Sequence, residues 1–265
     1  MQVILFFINN GGKLMYSGFY TLASGILTRQ NEIDVLGNNL TNVKTPGYKT
    51  DRVETSAFEM ELMVRMENGE PTVLGDGVGQ VSSIIQDIHT IMDPGIIEQT
   101  NRDLDIAING DGFFNIRTPD GQLAITKNGN FDLDEQGYLV LNGVGRVLGQ
   151  NGEIYIGESG FTVTPNGAVT SANGNYIDTL LINKPAEGVR AEKIENSAFL
   201  VQNPGDLIAS ESYTVLQGSL ESSNVDMNTE LTKLIEAQRS FQLYSSAMQI
   251  IDQMDQNASS KIASV

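Results

Sequence analysis

The chain has 265 residues, with 16 lysines and arginines against 33 aspartates and glutamates, no cysteine and one histidine, His89. Its formal net charge of -17 excludes the basic surface on which binding to nucleic acid or an anionic membrane depends. Its composition also excludes a disulfide framework, a thiolate metal site and a two-histidine metal site. The predicted partners are proteins, including further copies of this chain.

The first residues, MQVILFFINNGGKL, carry an apolar run that is too short to span a bilayer. They also lack the basic segment and cleavage site of a secretory signal. The stretch GGKLM back-translates to a purine-rich sequence of the ribosome-binding type, directly before the codon for Met15. We therefore expect residues 1–14 to be an upstream extension without function, and Met15 to be the working start.

A heptad pattern predicts a long helix from about Tyr16 to Val43. Only Arg29 breaks the apolar stripe of this helix. A seven-residue spacing favours a narrow seam for a partner helix, while the alternative is the core face of a globular helix. The predicted seam residues of this helix are Phe19, Leu22, Ile26, Ile33, Leu36, Leu40 and Val43.

The helix pattern ends in the stretch NNLTNVKTPGYK, residues 38–49. Pro46 favours extended geometry at Thr45, and Gly47 permits a turn that other residues avoid. Asparagine is a poor helix former, and a local cap would explain only one of three asparagines. These three are Asn38, Asn39 and Asn42.

Residues 50–100 are interpreted as a connector that partly joins the domain after it. Its stretch AFEMELMVRM fits a helix or an extended chain, whereas VSSIIQDIHTIM resembles a strand. From residue 101 to 215 the pattern becomes short apolar runs separated by turn sequences such as TPDG, DEQG, TPNG and SANG. This texture predicts an antiparallel β domain of the sandwich or barrel-like type.

A second heptad pattern predicts a C-terminal helix that starts near Asn224 or Asp226, either of which could be its N-cap. The predicted fold class is therefore α+β: residues 15–49 and 220–265 pair as a coiled-coil-like helical domain into which the β domain is inserted. The seam residues of the second helix are Leu234, Phe241, Tyr244, Met248 and Ile251.

Motifs for enzymatic chemistry are poor. GDGVG at residues 75–79 lacks the Lys-Ser/Thr of a P-loop, and GVGRVLG has Leu148 where a dinucleotide fingerprint needs glycine. The acidic run NGNFDLDEQG has Leu133 at the position where a calcium loop needs glycine. The aspartate pairs 103/105 and 132/134 suit β-turns. We predict no enzymatic activity, no cofactor and no metal.

Three stretches resemble signatures of the axial proteins of the bacterial flagellum, its rod, hook and hook-junction subunits. They are NNLTNVKTPGYK, then DLDIAINGDGFFNI with GNFDLDEQGYLVLNGVGRVLG, and finally QGSLESSNVDMNTELTKLIEAQRSFQLYSSAMQIIDQM. The chain length resembles that of the larger basal-body rod subunits. The connector resembles the distal type more than the proximal type.

The resemblance implies a structural subunit that self-assembles into a hollow axial tube, transmits torque and forms part of the export channel. It implies neighbouring rod and hook subunits and the flagellar export apparatus as partners, in an extracytoplasmic basal body reached without a cleaved signal peptide. The three asparagines would fix register between helices of adjacent subunits. The alternative is a secreted β-domain binding module with dimerising terminal helices.

Overall fold

The structure is a computed structural model that divides into two compact units. The first contains residues 1–38, 51–90 and 228–265, and the second contains residues 39–50 and 91–227. The residues described are 2–58, 64–67, 70–73, 83–157, 160–186, 192–194, 197–210 and 212–263.

Both predicted terminal helices are present. Helix α1 spans Gln2–Thr41 and helix α2 spans Met227–Ala263, so Asp226 holds the N-cap position of α2. In the first unit they contact each other: a Cβ built on Gly25 would lie 3.3 Å from the ring of Tyr244. The two helices contact each other, and antiparallel sheets are formed by the residues between them in the sequence. These two features confirm the predicted α+β class.

The first unit also contains an antiparallel ribbon. Strand β1 (Asp51–Phe58) pairs along its whole length with β4 (Ser83–Thr90). Strands β2 (Val64–Glu67) and β3 (Glu70–Val73) form a second antiparallel pair. The described part of AFEMELMVRM is therefore extended, and VSSIIQDIHTIM does contain a strand.

The strands of the second unit are all paired antiparallel, which agrees with the predicted β domain. In its described part they are β5 (Ile97–Gln99), β6 (Ile106–Gly110), β7 (Phe113–Arg117), β8 (Leu123–Thr126), β9 (Asp132–Leu133), β10 (Leu139–Leu141), β11 (Gly145–Val147), β12 (Phe161–Val163), β13 (Ala168–Ser171), β14 (Tyr176–Thr179), β15 (Ile182–Pro185), β16 (Glu192–Lys193), β17 (Ala198–Val201), β18 (Leu207–Ala209), β19 (Tyr213–Gln217) and β20 (Ser219–Glu221).

The largest sheet follows the order β16-β17-β8-β7-β11-β10-β9, and β15 joins it by pairing with β7 and β18. Strands β12, β13 and β14 form a three-stranded sheet, while β6 pairs with β19 and β5 with β20. The predicted turns lie between strands: in DEQG, for example, Gly137 has a φ of 87° and donates its N–H to Asp134. Such positive φ values explain why glycine ends these turns.

The core of the second unit is apolar and closed. Phe114 and Phe131 are fully buried and meet edge to face, with ring centroids 4.9 Å apart. A smaller cluster contains Phe113 and Phe199. Burying a side chain of this size stabilises a fold by roughly 1.5–3 kcal/mol, so these aromatic residues hold the strands together.

Candidate functional site: helix surfaces and a buried junction

The predicted seam residues are mostly half-buried. Leu36 is buried and Phe19 is exposed. Because the two helices of one chain contact each other, part of the predicted seam is already covered within the subunit. The half-buried seam residues are Leu22, Ile26, Ile33, Leu40, Val43, Leu234, Phe241, Tyr244, Met248 and Ile251.

A second apolar row on α2 is far more exposed. Leu243, Ile250 and Met254 are 72%, 58% and 60% exposed. Their spacing of seven and then four residues places them on one face of the helix, as in a coiled-coil seam. Sequence reasoning missed this row because it followed the longer series through Phe241 and Met248. Helix α2 therefore presents two apolar faces.

The three asparagines occupy different environments. Asn39 is fully buried, and its Oδ1 accepts a hydrogen bond from the hydroxyl of Tyr48 at 3.1 Å. The Oδ1 of Asn42 accepts a hydrogen bond from the hydroxyl of Thr45 at 3.0 Å, whereas Asn38 is exposed. Asn39 and Asn42 thus have roles inside their own chain, and register between subunits stays a prediction for all three.

The turn after α1 requires glycine at position 47. Gly47 has a φ of 66°, and a Cβ there would lie 2.3 Å from the backbone nitrogen of Asn128. Its N–H donates to the carbonyl of Glu221 at 2.7 Å. The turn therefore packs against the β domain and against the residues that precede α2.

A buried ion pair follows directly. The Nζ of Lys49 lies 2.6 Å from the Oε1 of Glu221, and each side chain is 1% exposed. Lys49 also donates to the carbonyl of Asp93 at 2.7 Å, and the N–H of Gly95 donates to the same Glu221 oxygen at 2.9 Å. Both charges are thus hydrogen-bonded as well as paired, which a buried charge requires.

A second lysine approaches the other oxygen of the same carboxylate. The Nζ of Lys127 lies 3.5 Å from the Oε2 of Glu221 and donates to the carbonyls of Gly110 at 2.8 Å and Ile108 at 3.3 Å. Burial lowers the pKa of Lys127 below its ordinary value, and the Glu221 carboxylate opposes that shift. One carboxylate therefore serves two buried lysines.

Asn224 completes this junction. Its Oδ1 accepts from the backbone N–H of Thr50 at 2.8 Å and from the hydroxyl of Thr50 at 2.7 Å. Its Nδ2 donates to the carbonyls of Ile91 and Asp93, each at 3.0 Å. The side chain that the sequence offered as a helix cap instead joins two distant segments, because all its hydrogen-bonding capacity is used here.

Lys193 supports the turn from β16. Its Nζ lies 3.6 Å from the centroid of the Tyr48 ring and donates to the carbonyl of Lys49 at 2.7 Å. A cation over an aromatic face is attracted to it. We call Lys49, Lys127, Glu221 and Asn224 the junction cluster.

Within the aspartate pairs, Asp105, Asp132 and Asp134 form ion pairs with arginines. The guanidinium of Arg102 contacts Asp105 at 3.1 Å and Asp132 at 3.5 Å. In the ribbon of the first unit, the Nε2 of His89 lies 3.8 Å from Glu54.

The remaining candidates for a functional site are the glycine-rich motif, a metal site and a membrane-spanning helix. The stretch GDGVG lies outside the described residues. The described residues contain no group of three or more side chains placed to hold a metal ion. Within the same residues, neither helix is long and apolar enough to cross a bilayer.

Three family profiles match successive parts of the chain. Residues 19–49 match "Flagella basal body rod protein", residues 107–171 match "Flagellar hook protein FlgE/F/G D1 domain", and residues 216–261 match "Flagellar basal body rod FlgEFG protein C-terminal". The first and last matches include Lys49 and Glu221 of the junction cluster.

Curated relatives match nearly the whole chain. The flagellar basal-body rod protein FlgG of Bacillus subtilis is 32% identical, over 91% of this chain and 97% of the relative. FlgG of Borreliella burgdorferi is 34% identical, over 91% of this chain and 96% of the relative. The chain belongs to the flagellar basal-body rod protein family. The resemblance found in the sequence is thereby confirmed, and this rod-family subunit is a structural protein, not an enzyme.

A hook-basal body protein is also similar to this chain. FlhO of Bacillus subtilis, a flagellar hook-basal body complex protein, is 28% identical over 95% of this chain and all of its own length. The similarity to these relatives thus extends over at least 91% of the rod-family subunit. Assembly within the basal-body rod follows from the family.

Proposed function

We propose that this subunit self-assembles into a hollow axial tube of the flagellar rod that transmits torque and forms part of the export channel. The observation that carries the proposal is the exposed row on α2, formed by Leu243, Ile250 and Met254. Large apolar side chains that follow a coiled-coil spacing on an exposed helix face are typical of a surface that packs against another helix.

Two sets of helix contacts follow from this arrangement. The predicted seam through Phe241 and Met248 is half-buried, so it supplies the pairing of α1 with α2 and only part of its surface remains for neighbours. The exposed row supplies a further surface for another copy. A tube needs contacts in more than one direction, and two apolar faces on one helix meet that requirement.

We further propose a distal position in the rod, with neighbouring rod and hook subunits and the export apparatus as partners. The connector supports the distal position by its resemblance to that type, and the relatives that are 32% and 34% identical both carry the name FlgG. The resemblance to flagellar axial proteins supports export through the flagellar export apparatus.

Electron microscopy of the purified full-length protein at high concentration tests this proposal. We expect tubes or filaments, and discrete dimers would instead support a binding module. Leu243→Asp should abolish assembly, because each contact would bury an unpaired charge at a cost of about 3–5 kcal/mol. Gln242→Asp, at the adjacent exposed position, is the matched control and should assemble. Normal tubes from Leu243→Asp would contradict the proposed surface.

A further inference from the structure

The junction cluster has an unusual charge arrangement. Two ammonium groups, of Lys49 and Lys127, face the single carboxylate of Glu221 in a site where all three side chains are at most 6% exposed. Desolvating the charges offsets most of their attraction, so a buried ion pair adds little net stability. Removing one partner is nevertheless strongly destabilising, because it leaves a buried charge without compensation.

Glu221 lies on a short strand pair. Strand β20 pairs with β5 over only three residues, with Glu221 opposite Ile97. Three paired residues supply few cross-strand contacts that could fix a register, and a slip of one residue exchanges the two faces of a strand. Such a slip would bring Leu220 or Ser222 to the lysines, which would then be buried without a carboxylate.

We infer that Glu221 is a conformational clamp whose two oxygens select the single register of β20 against β5, and thereby fix where the chain leaves α1 and enters α2. Its Oε1 holds Lys49 and the N–H of Gly95, while its Oε2 faces Lys127. The clamp specifies one arrangement at little net gain in stability. It does not depend on the proposed tube and is tested in the monomer.

Urea unfolding of full-length monomer is the first measurement. Glu221→Gln should lower the folding equilibrium constant about 100- to 1000-fold, because both lysines lose their counter-charge. Glu98→Gln, on the exposed face of β5, is the matched control and should change it less than about threefold. An unchanged constant in Glu221→Gln would overturn the clamp.

The apolar triple variant Lys49→Met/Lys127→Met/Glu221→Leu separates specificity from stability. We expect its folding equilibrium constant to return to within about tenfold of the parent. The amides of Gly47 and Ser222, which donate to Glu221 and Ile96 in the parent, should exchange hydrogen at least about tenfold faster, relative to the core amide of Leu139. Parental protection at Gly47 and Ser222, or a triple variant as unstable as Glu221→Gln, would overturn the inference.

Discussion

The β core and the surface of α2 differ in how far their apolar residues are buried. Phe114 and Phe131 in the second unit are fully buried, whereas Leu243 and Ile250 on α2 are mostly exposed. The β core therefore completes its own hydrophobic burial inside one subunit. The helices leave theirs incomplete, which is useful in a subunit whose stability should increase when neighbours arrive.

Charged residues show the same contrast. The second unit buries Lys49 and Glu221 and satisfies them with several hydrogen bonds. Helix α1 carries an ion pair between Arg29 and Glu32, whose side chains are about one-third exposed. An exposed pair of this kind contributes little, typically below about 1 kcal/mol. The buried pair of Lys49 and Glu221 is thus more strongly coupled than the exposed pair of Arg29 and Glu32.

The largest expected effect is the difference in unfolding free energy between truncating an apolar residue of the β core and truncating one on the surface of α2. Phe114→Ala should lower the free energy of unfolding of the monomer by about 3–5 kcal/mol, because it opens a cavity in a closed core. Leu243→Ala should change it by less than about 0.5 kcal/mol, because that side chain is exposed in the monomer. Chemical denaturation of both variants measures the difference. Equal losses would show that the contrast between the regions does not hold.

Replacing one glycine by alanine in each unit should change the unfolding free energy by an intermediate amount, with opposite signs. Gly47→Ala should destabilise the monomer by about 2–4 kcal/mol, because its positive φ and the backbone of Asn128 leave no room for a methyl group. Gly37→Ala should stabilise it by about 0.5–1 kcal/mol, since a Cβ at this helical position meets nothing within 4 Å. Thermal unfolding distinguishes the two. Tolerance of alanine at position 47 would contradict the described turn.

The smallest expected effect is a pH dependence in the β domain. Partial desolvation acts to raise the pKa of Asp134, but hydrogen bonds from the N–H of Tyr138 and from Arg146 outweigh it and hold that pKa below its usual value. The stability that this carboxylate contributes is present above about pH 3.9 and is lost as the pH falls through its lowered pKa.

Asp134→Asn should therefore destabilise the protein slightly near neutral pH and make no difference in strong acid. Unfolding experiments between about pH 7 and pH 2 measure this convergence. Glu135→Gln, which changes the adjacent exposed carboxylate, is the control. A difference for Asp134→Asn that stays constant over the whole range would refute the ion-pair explanation.

Local patterns were sufficient to predict the elements of this fold. The heptads predicted both terminal helices, and the Asp-Gly and Asn-Gly stretches predicted the turns of an antiparallel domain. Helix periodicity and turn chemistry depend on residues a few positions apart, so a single sequence contains them. The same patterns could not decide which apolar face of α2 is covered, because Phe241 and Leu243 are both consistent with a helical stripe.

The sequence by itself thus determined the two terminal helices, the antiparallel β domain, the family and the glycine turn at position 47. Only the tertiary structure decided the partners of Lys49 and Asn224. Lys49 binds Glu221 and Asn224 binds Thr50, and each partner lies more than 170 positions away in the sequence. No local rule pairs side chains at such a separation. Their hydrogen bonds form only once the strands have brought them together and excluded water, and burial then makes each missing partner costly.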